Sequence, residues 1–185
     1  MKHIRLNFYK YCLPRRYFVD ENAKKTALRM IPYGLYVLTA ETSDGRAGAA
    51  TVNWVTQSSF QPPLVVAGVK MDSGIFTLLK ESNVFALNML GKDQKDMAFQ
   101  FFKPAEKDGD TIGGAAYRKG ANGAPILEAT PAFVECKVRE IVAIGDHAAV
   151  VGEVLDAGLK SEISGRPDDA ILILKDLGEK TFYGG

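Results

Sequence analysis

Short β-prone runs recur along this chain, set apart by turn residues and only rarely by helices. Residues 35–39 (LYVLT), 47–59, 64–69 (LVVAGV), 84–90 (VFALNML), 132–141, 147–154 and 170–174 each read as a strand, with β-branched and aromatic residues leading. Ser43-Asp44-Gly45-Arg46 forms a hairpin-type turn between the first two, and Pro62-Pro63 breaks the ladder before the third. Asp20 stands where a helix N-cap belongs, ahead of ENAKKTALRM, and Pro32 and Gly34 stop that helix. Ser73 caps a second short helix through Lys80. Residues 92–102 read as an amphipathic third, with Met97 and Phe101, and Ala98 and Phe102, four apart. A doubly wound α/β sheet needs a helix after nearly every strand. Many strands with few helices instead predict a mainly β protein built on a closed or half-closed barrel.

At 185 residues the chain suits one domain over 20–185, preceded by an arm over 1–19. That arm carries Phe8, Tyr9, Tyr11, Tyr17 and Phe18, too many aromatics for a solvated tail. A chain of this length buries a sufficient core without metal or disulfide staples. The net charge of +1 gives no reason to expect nucleic acid or an acidic membrane surface as partner. Two separated cysteines, Cys12 and Cys136, and two histidines, His3 and His147, form no metal-ligand spacing. Val134, Cys136 and Val138 share one strand face, so Cys136 reads as a buried thiol. The N-terminus lacks the apolar core of a signal peptide, and the apolar runs fall far short of the roughly 20 residues that span a bilayer. No membrane and a reducing cytoplasm are therefore expected.

The run TVNWVTQSSF sets a polar strand beside an apolar one. Thr51, Asn53, Thr56, Gln57, Ser58 and Ser59 are too many hydrogen-bonding side chains to bury unpaired, at about 1–3 kcal/mol for each orphan. They face water, a partner chain or a polar ligand. Hydroxyls and amides with no nearby carboxylate, followed by Lys70, suit a ligand with an anionic end and a hydrogen-bonding ring. A solvated edge strand accounts for the same residues. Residues 103–124, rich in Gly, Lys and Asp, read as a long lid or binding loop. No GxGxxG follows a strand, and neither GxxxxGK[ST] nor GxSxG occurs.

The block AATVNWVTQSSFQPPLVVAGVKMDSGIFTLL, then FALNML, then IGDHAAVVGEV resembles the flavin reductase-like family of FMN-binding split-barrel proteins. The likeness runs over roughly residues 24–183, and the WVTQSSFQPP wording is similar to flavoredoxins and to modules appended to flavodiiron proteins. It implies a six-stranded antiparallel Greek-key barrel, normally a homodimer, with FMN (or FAD) at the dimer interface. Asn53 and the backbone of Val52 and Trp54 would then meet the isoalloxazine edge. Thr56, Gln57, Ser58 and Ser59 would bond the ribityl chain and phosphate, and Lys70 and Ser73 would complete the phosphate site. Thr51 belongs to the same flavin-lining run. Asp72 departs from the family pattern by adding a negative charge there. His147, in Gly-Asp-His, would stand near the flavin ring where a nicotinamide stacks. Phe102, Lys103 and the loop after them could cover the flavin, with Phe182 and Tyr183 as an aromatic wall; core or dimer packing is the other reading of these aromatics. The resemblance implies an NAD(P)H-dependent flavin reductase, with NADH or NADPH as hydride donor and an electron acceptor left open. The alternatives are a flavoredoxin-type electron carrier fed by a protein donor, and a flavin-binding module without turnover.

Overall fold

The computed structural model describes residues 19–184. Apart from Val19, the expected arm over 1–19 lies outside them. Two compact units divide the described chain, one holding residues 19–31 with Gly184 and the other Pro32–Tyr183. In the first, α1 (Glu21–Arg29) starts where Asp20 Oδ1 accepts from the Asn22 and Ala23 amides at 2.9 and 3.1 Å.

The second unit is mainly β. Its barrel strands are β1 (Tyr36–Glu41), β2 (Ala47–Val52), β4 (Pro63–Lys70), β5 (Val84–Met89), β10 (Ala132–Val142) and β11 (His147–Leu159). They lie side by side, all antiparallel, in the order β4-β11-β10-β5-β1-β2. The period-two alternation decides the faces. Leu38 and Ala40 of β1, Phe85 and Leu87 of β5, Cys136 and Val138 of β10, and Ala148 and Val150 of β11 enter one buried cluster. Val52, at one end of the strand order, shares that cluster with Ala67 and Val69 at the other, so the sheet curls back on itself. Helix α2 (Gly74–Ser82) adds Ile75, Phe76 and Leu79 to it.

The odd-numbered face of β1 and β2 points outward and is covered. Val37, Ala47 and Ala49 pack with Ala98 and Phe101 of and beside α3 (Lys95–Gln100), and with Ile112, Leu127 and Leu172. Residues 103–124, expected as a long lid or binding loop, instead hold short strands, and the run continues to Leu127: β6 (Ala105–Asp108), β7 (Thr111–Ile112), β8 (Ala115–Lys119) and β9 (Pro125–Leu127). The glycines that suggested a loop stand at the turns between them, with Gly109 and Gly123 at φ +57° and +91°. Buried polar groups tie the run down. Glu135 accepts from the Ala121 and Asn122 amides at 3.0 and 2.7 Å, and Asn88 Oδ1 accepts from the Leu127 amide at 2.9 Å.

Two further expectations are corrected. The single strand over 47–59 is two: β2 pairs with β1, whereas β3 (Val55–Phe60) pairs with β4. The chain turns between them at Asn53-Trp54, where the Val55 amide donates to the Asn53 carbonyl at 3.0 Å. Residues 170–174 are not a strand. After α4 (Pro167–Ala170), Ile171 and Ile173 make only isolated bridges to Gly91 and Gly34, and a 3-10 turn follows at Leu174–Leu177. The alternating apolar residues there bury Leu172, whose amide and carbonyl bond Leu90 and Leu35. Among the described residues no helix is long and apolar enough to cross a membrane.

Candidate functional site

The corner at Asn53-Trp54, the end of β4, the start of β11 and the segment 181–183 meet around one cavity of about 380 Å³. The register of the barrel brings them together. His147 stands directly opposite Lys70 in the β4–β11 ladder, and the Gly68 amide donates to the Trp54 carbonyl at 2.7 Å. Gly68 permits this close approach, because a Cβ there would lie 3.0–3.1 Å from Trp54 side-chain atoms and press the indole back.

The inner wall of the cavity holds a donor without an acceptor. Asn53 is only 6% exposed, it lines the cavity, and its Nδ2 has no hydrogen-bond partner. Trp54 Nε1, the next side-chain donor along the chain, is also buried and unpartnered. An unmet buried donor costs about 1–3 kcal/mol, so a ligand with ring carbonyl or ring nitrogen acceptors removes a penalty as it binds. The remaining walls are largely apolar and aromatic, with Val52, Ile75, Phe101, Phe102, Phe182 and Tyr183 among them. A flat, acceptor-rich heterocycle suits this setting.

Ser73 and Lys70 add polar groups to the lining. Ser73 N-caps α2, its Oγ accepting from the Phe76 amide at 3.3 Å while donating to the Lys70 carbonyl at 2.6 Å. The amides of the first turn of α2 and the Lys70 ammonium make this part of the lining favourable for an anion. Asp72 competes there: its carboxylate pairs with Lys70 Nζ at 3.1 Å and, with both groups exposed, raises the Lys70 pKa.

His147 has both ring nitrogens engaged. Nδ1 is 2.9 Å from Asp146 Oδ1 and Nε2 is 2.7 Å from the Tyr183 hydroxyl. The hydrogen bond from His147 holds the Asp146 carboxyl below its ordinary pKa, so at neutral pH it only accepts. The Asp146 carboxylate thus calls for a proton on Nδ1, and in the neutral ring Nε2 accepts from the Tyr183 O–H. Burial raises the Tyr183 pKa, which keeps that proton in place. Trp54 packs on the imidazole with ring centroids 4.6 Å apart and on Tyr183 at 5.3 Å.

Of the residues singled out in the sequence, Thr51, Val52, Asn53, Lys70, Ser73 and His147 line the cavity, and Trp54 backs it. Thr51 is also an anchor for the end of α3, since its amide donates to the Phe101 carbonyl and its hydroxyl to the Ala98 carbonyl. Thr56, Gln57, Ser58 and Ser59 stand apart. They lie on β3 outside the lining, the first three exposed, because the corner at 53–54 carries β3 off the barrel wall. Phe102, Phe182 and Tyr183 are at the cavity and Lys103 is not. Several lining residues were missed by sequence reading, among them Leu35, Val69, Ile75, Phe101 and Leu174; only Gly68, also missed, carried a signal of close approach as a glycine inside a β-branched run.

Residues 28–176 match the family model described as flavin reductase like domain, and the chain belongs to the flavin reductase-like family. It is 30% identical over 146 residues to the flavin reductase of Pseudomonas putida, covering 79% of this chain and 84% of that one. It is also 30% identical over 135 residues to the stachydrine N-demethylase reductase subunit of Rhizobium meliloti, covering 73% of this chain and 57% of the relative. The chain thus spans little more than half the length of that subunit. Among solved structures, the styrene monooxygenase flavin reductase of Pseudomonas putida S12 superposes with a TM-score of 0.64 at 30% identity, covering 75% of this chain and 87% of that one.

Proposed function

We propose that this protein is an NAD(P)H-dependent flavin reductase that binds FMN, or FAD, in the cavity between the Asn53-Trp54 corner and the N-terminus of α2. The observation that carries the reading is the unpartnered Asn53 Nδ2, buried on the wall of a cavity that Ser73 and Lys70 also line. The flavin supplies the redox chemistry, accepting a hydride from NADH or NADPH and releasing the electrons to an acceptor. The chain's own residues bind and orient. Asn53 donates to the acceptor edge of the ring. Ser73, Lys70 and the first-turn amides of α2 hold the phosphate, and Asp72 weakens that hold. His147 stands where a nicotinamide would meet the ring, oriented by its contact with Asp146. The apolar wall, with Phe101 and Phe102, keeps water away from the reacting face. The polar strand β3 belongs in this reading to a homodimer: a second copy covers it and brings Thr56, Gln57, Ser58 and Ser59 to the ribityl chain and phosphate.

An anaerobic absorbance titration of the FMN-loaded protein with NADH and with NADPH tests the function. Rapid bleaching of the flavin band by either nicotinamide is expected, and the faster one is the preferred donor. A loaded protein that stays oxidised with both would move the assignment to an electron carrier fed by a protein donor. Failure to take up FMN or FAD would remove the cavity from the account altogether.

A further inference from the structure

His147 offers a nicotinamide nothing to bond as it stands. Its Nδ1 is committed to Asp146 and its Nε2 to the Tyr183 hydroxyl. Its side chain is 12% exposed, packed on one side by Trp54 and edge-on by Tyr183, with centroids 4.6 and 5.9 Å away. Tyr183 sets an aromatic ring with a polar tip against the imidazole, as a nicotinamide ring with its carboxamide would. Yet the ring is weakly held. Tyr183 is 47% exposed, and residues 181–184 belong to no helix or strand. Segments outside regular structure, with side chains half in water, open at the low end of a protein's free-energy scale.

We propose that Tyr183 is a gate on the nicotinamide side of the site: it occupies the place against His147 and Trp54 that the nicotinamide takes, and it must swing out before the cofactor binds. The proposal rests on the flavin reductase reading above. Binding then draws on an open population, and the apparent affinity is the intrinsic one reduced by the fraction of molecules that are open. The contact is one hydrogen bond and two ring contacts, to Trp54 at 5.3 Å and His147 at 5.9 Å, on a side chain still 47% exposed, and the gate selects against partners that cannot replace them. A nicotinamide replaces the ring with its own and the hydroxyl with its amide. When none is present, Tyr183 keeps bulk water off the imidazole.

The test is calorimetric binding of 1,4,5,6-tetrahydro-NAD, and of its 2′-phosphate, to the FMN-loaded full chain. These analogues occupy a nicotinamide site without delivering hydride. Wild type, Tyr183→Phe and Tyr183→Ala are compared, with stopped-flow reduction by NADH and NADPH alongside. Loss of the hydroxyl alone weakens the closed state by one hydrogen bond, so Tyr183→Phe should bind the analogue about twofold to tenfold tighter. Tyr183→Ala should bind at least as tightly as Tyr183→Phe, and the KM for NADH or NADPH should fall in parallel. Binding by the variants but not by wild type would support the gate most strongly. Equal or weaker analogue binding by both variants, with wild type still binding and still reduced, overturns the gate and leaves the reductase reading intact. If neither wild type nor variants bind the analogue or accept hydride although FMN is loaded, the nicotinamide reading fails and the gate with it.

Discussion

Asn53 is buried with a donor unmet, which is a cost the folded chain carries in its flavin-free form. Replacing it with alanine should therefore move two quantities in opposite directions. FMN affinity should fall about tenfold, the worth of one good hydrogen bond, while the melting temperature of the flavin-free protein stays level or rises because the orphan is gone. Fluorescence titration and calorimetry on one preparation give both; a stability loss without a change in affinity would make Asn53 a structural residue. Asp72 makes a complementary case at the anion end. Asp72→Asn frees Lys70 and removes a like charge, so FMN should bind roughly twofold to fivefold tighter at low ionic strength, the scale of an exposed pair. Riboflavin, which lacks the phosphate, should bind unchanged, and equal gains for both ligands would remove Lys70 and Ser73 from the phosphate site. Cys136 is the opposite kind of residue, fully buried, with its thiol pushed up to about 12, first by burial and then by the Glu135 charge. Only about one molecule in ten thousand carries the thiolate at pH 8, so the native protein should expose at most one of its two thiols to a disulfide reagent. Two equivalents titrating before unfolding would contradict that burial.

Single elements show where sequence reading succeeds and where it stops. The barrel strands were legible because each is a short run rich in β-branched, aromatic and other apolar residues bounded by turn residues, and Ser73 and Asp20 announced their helices as caps. The break at Asn53-Trp54 was not, since a single strand-poor Asn53 between Val52 and Trp54-Val55 does not mark a strand end; the break arises from a change of partner strand, which no local pattern records. The short strands of 105–127 were hidden because their burial is supplied by distant groups, Asn88, Glu135 and the outer face of β1. For the site the same limit holds: composition pointed to an anion-and-ring ligand, but that β3 leaves the cavity is a tertiary fact. The hairpin turn between β1 and β2 was legible, and its chemistry gives a pH test. Hydrogen bonds from Thr42 and then from Arg46 lower the Asp44 pKa to about 2, and Arg46 also pairs with Glu81. A carboxyl lowered on folding adds stability above its unfolded pKa and loses it as pH falls through the folded one. The melting temperature of Asp44→Asn should thus lie below wild type at pH 7, with the gap closing between about pH 4 and pH 2. A gap that persists unchanged at pH 2 would assign the effect to the turn backbone rather than to the charge.

On the scale of the whole molecule, β3 is the unfinished part. It is the terminal strand of the sheet, bonded to β4 on one side only. Val55–Phe60 carries no charged residue, and Phe60 at its end is 91% exposed. An edge strand that stays monomeric is usually protected by lysine, proline within the strand, or a cover. This one has its prolines only after the pairing segment, and a large apolar side chain left in water. The proposed homodimer resolves both features with one contact and gives Thr56, Gln57 and Ser58 a reason to be polar and outward. Phe60→Glu places a charge at that contact. Analytical ultracentrifugation at low micromolar concentration should find wild type as a dimer and Phe60→Glu shifted toward monomer, with FMN affinity reduced in the same variant. A variant that becomes monomeric yet binds FMN as wild type does would show that the cavity of one protomer suffices and that β3 serves assembly alone. A wild-type chain that sediments as a monomer while binding FMN would remove the partner copy from the site and return Thr56–Ser59 to the status of a solvated edge.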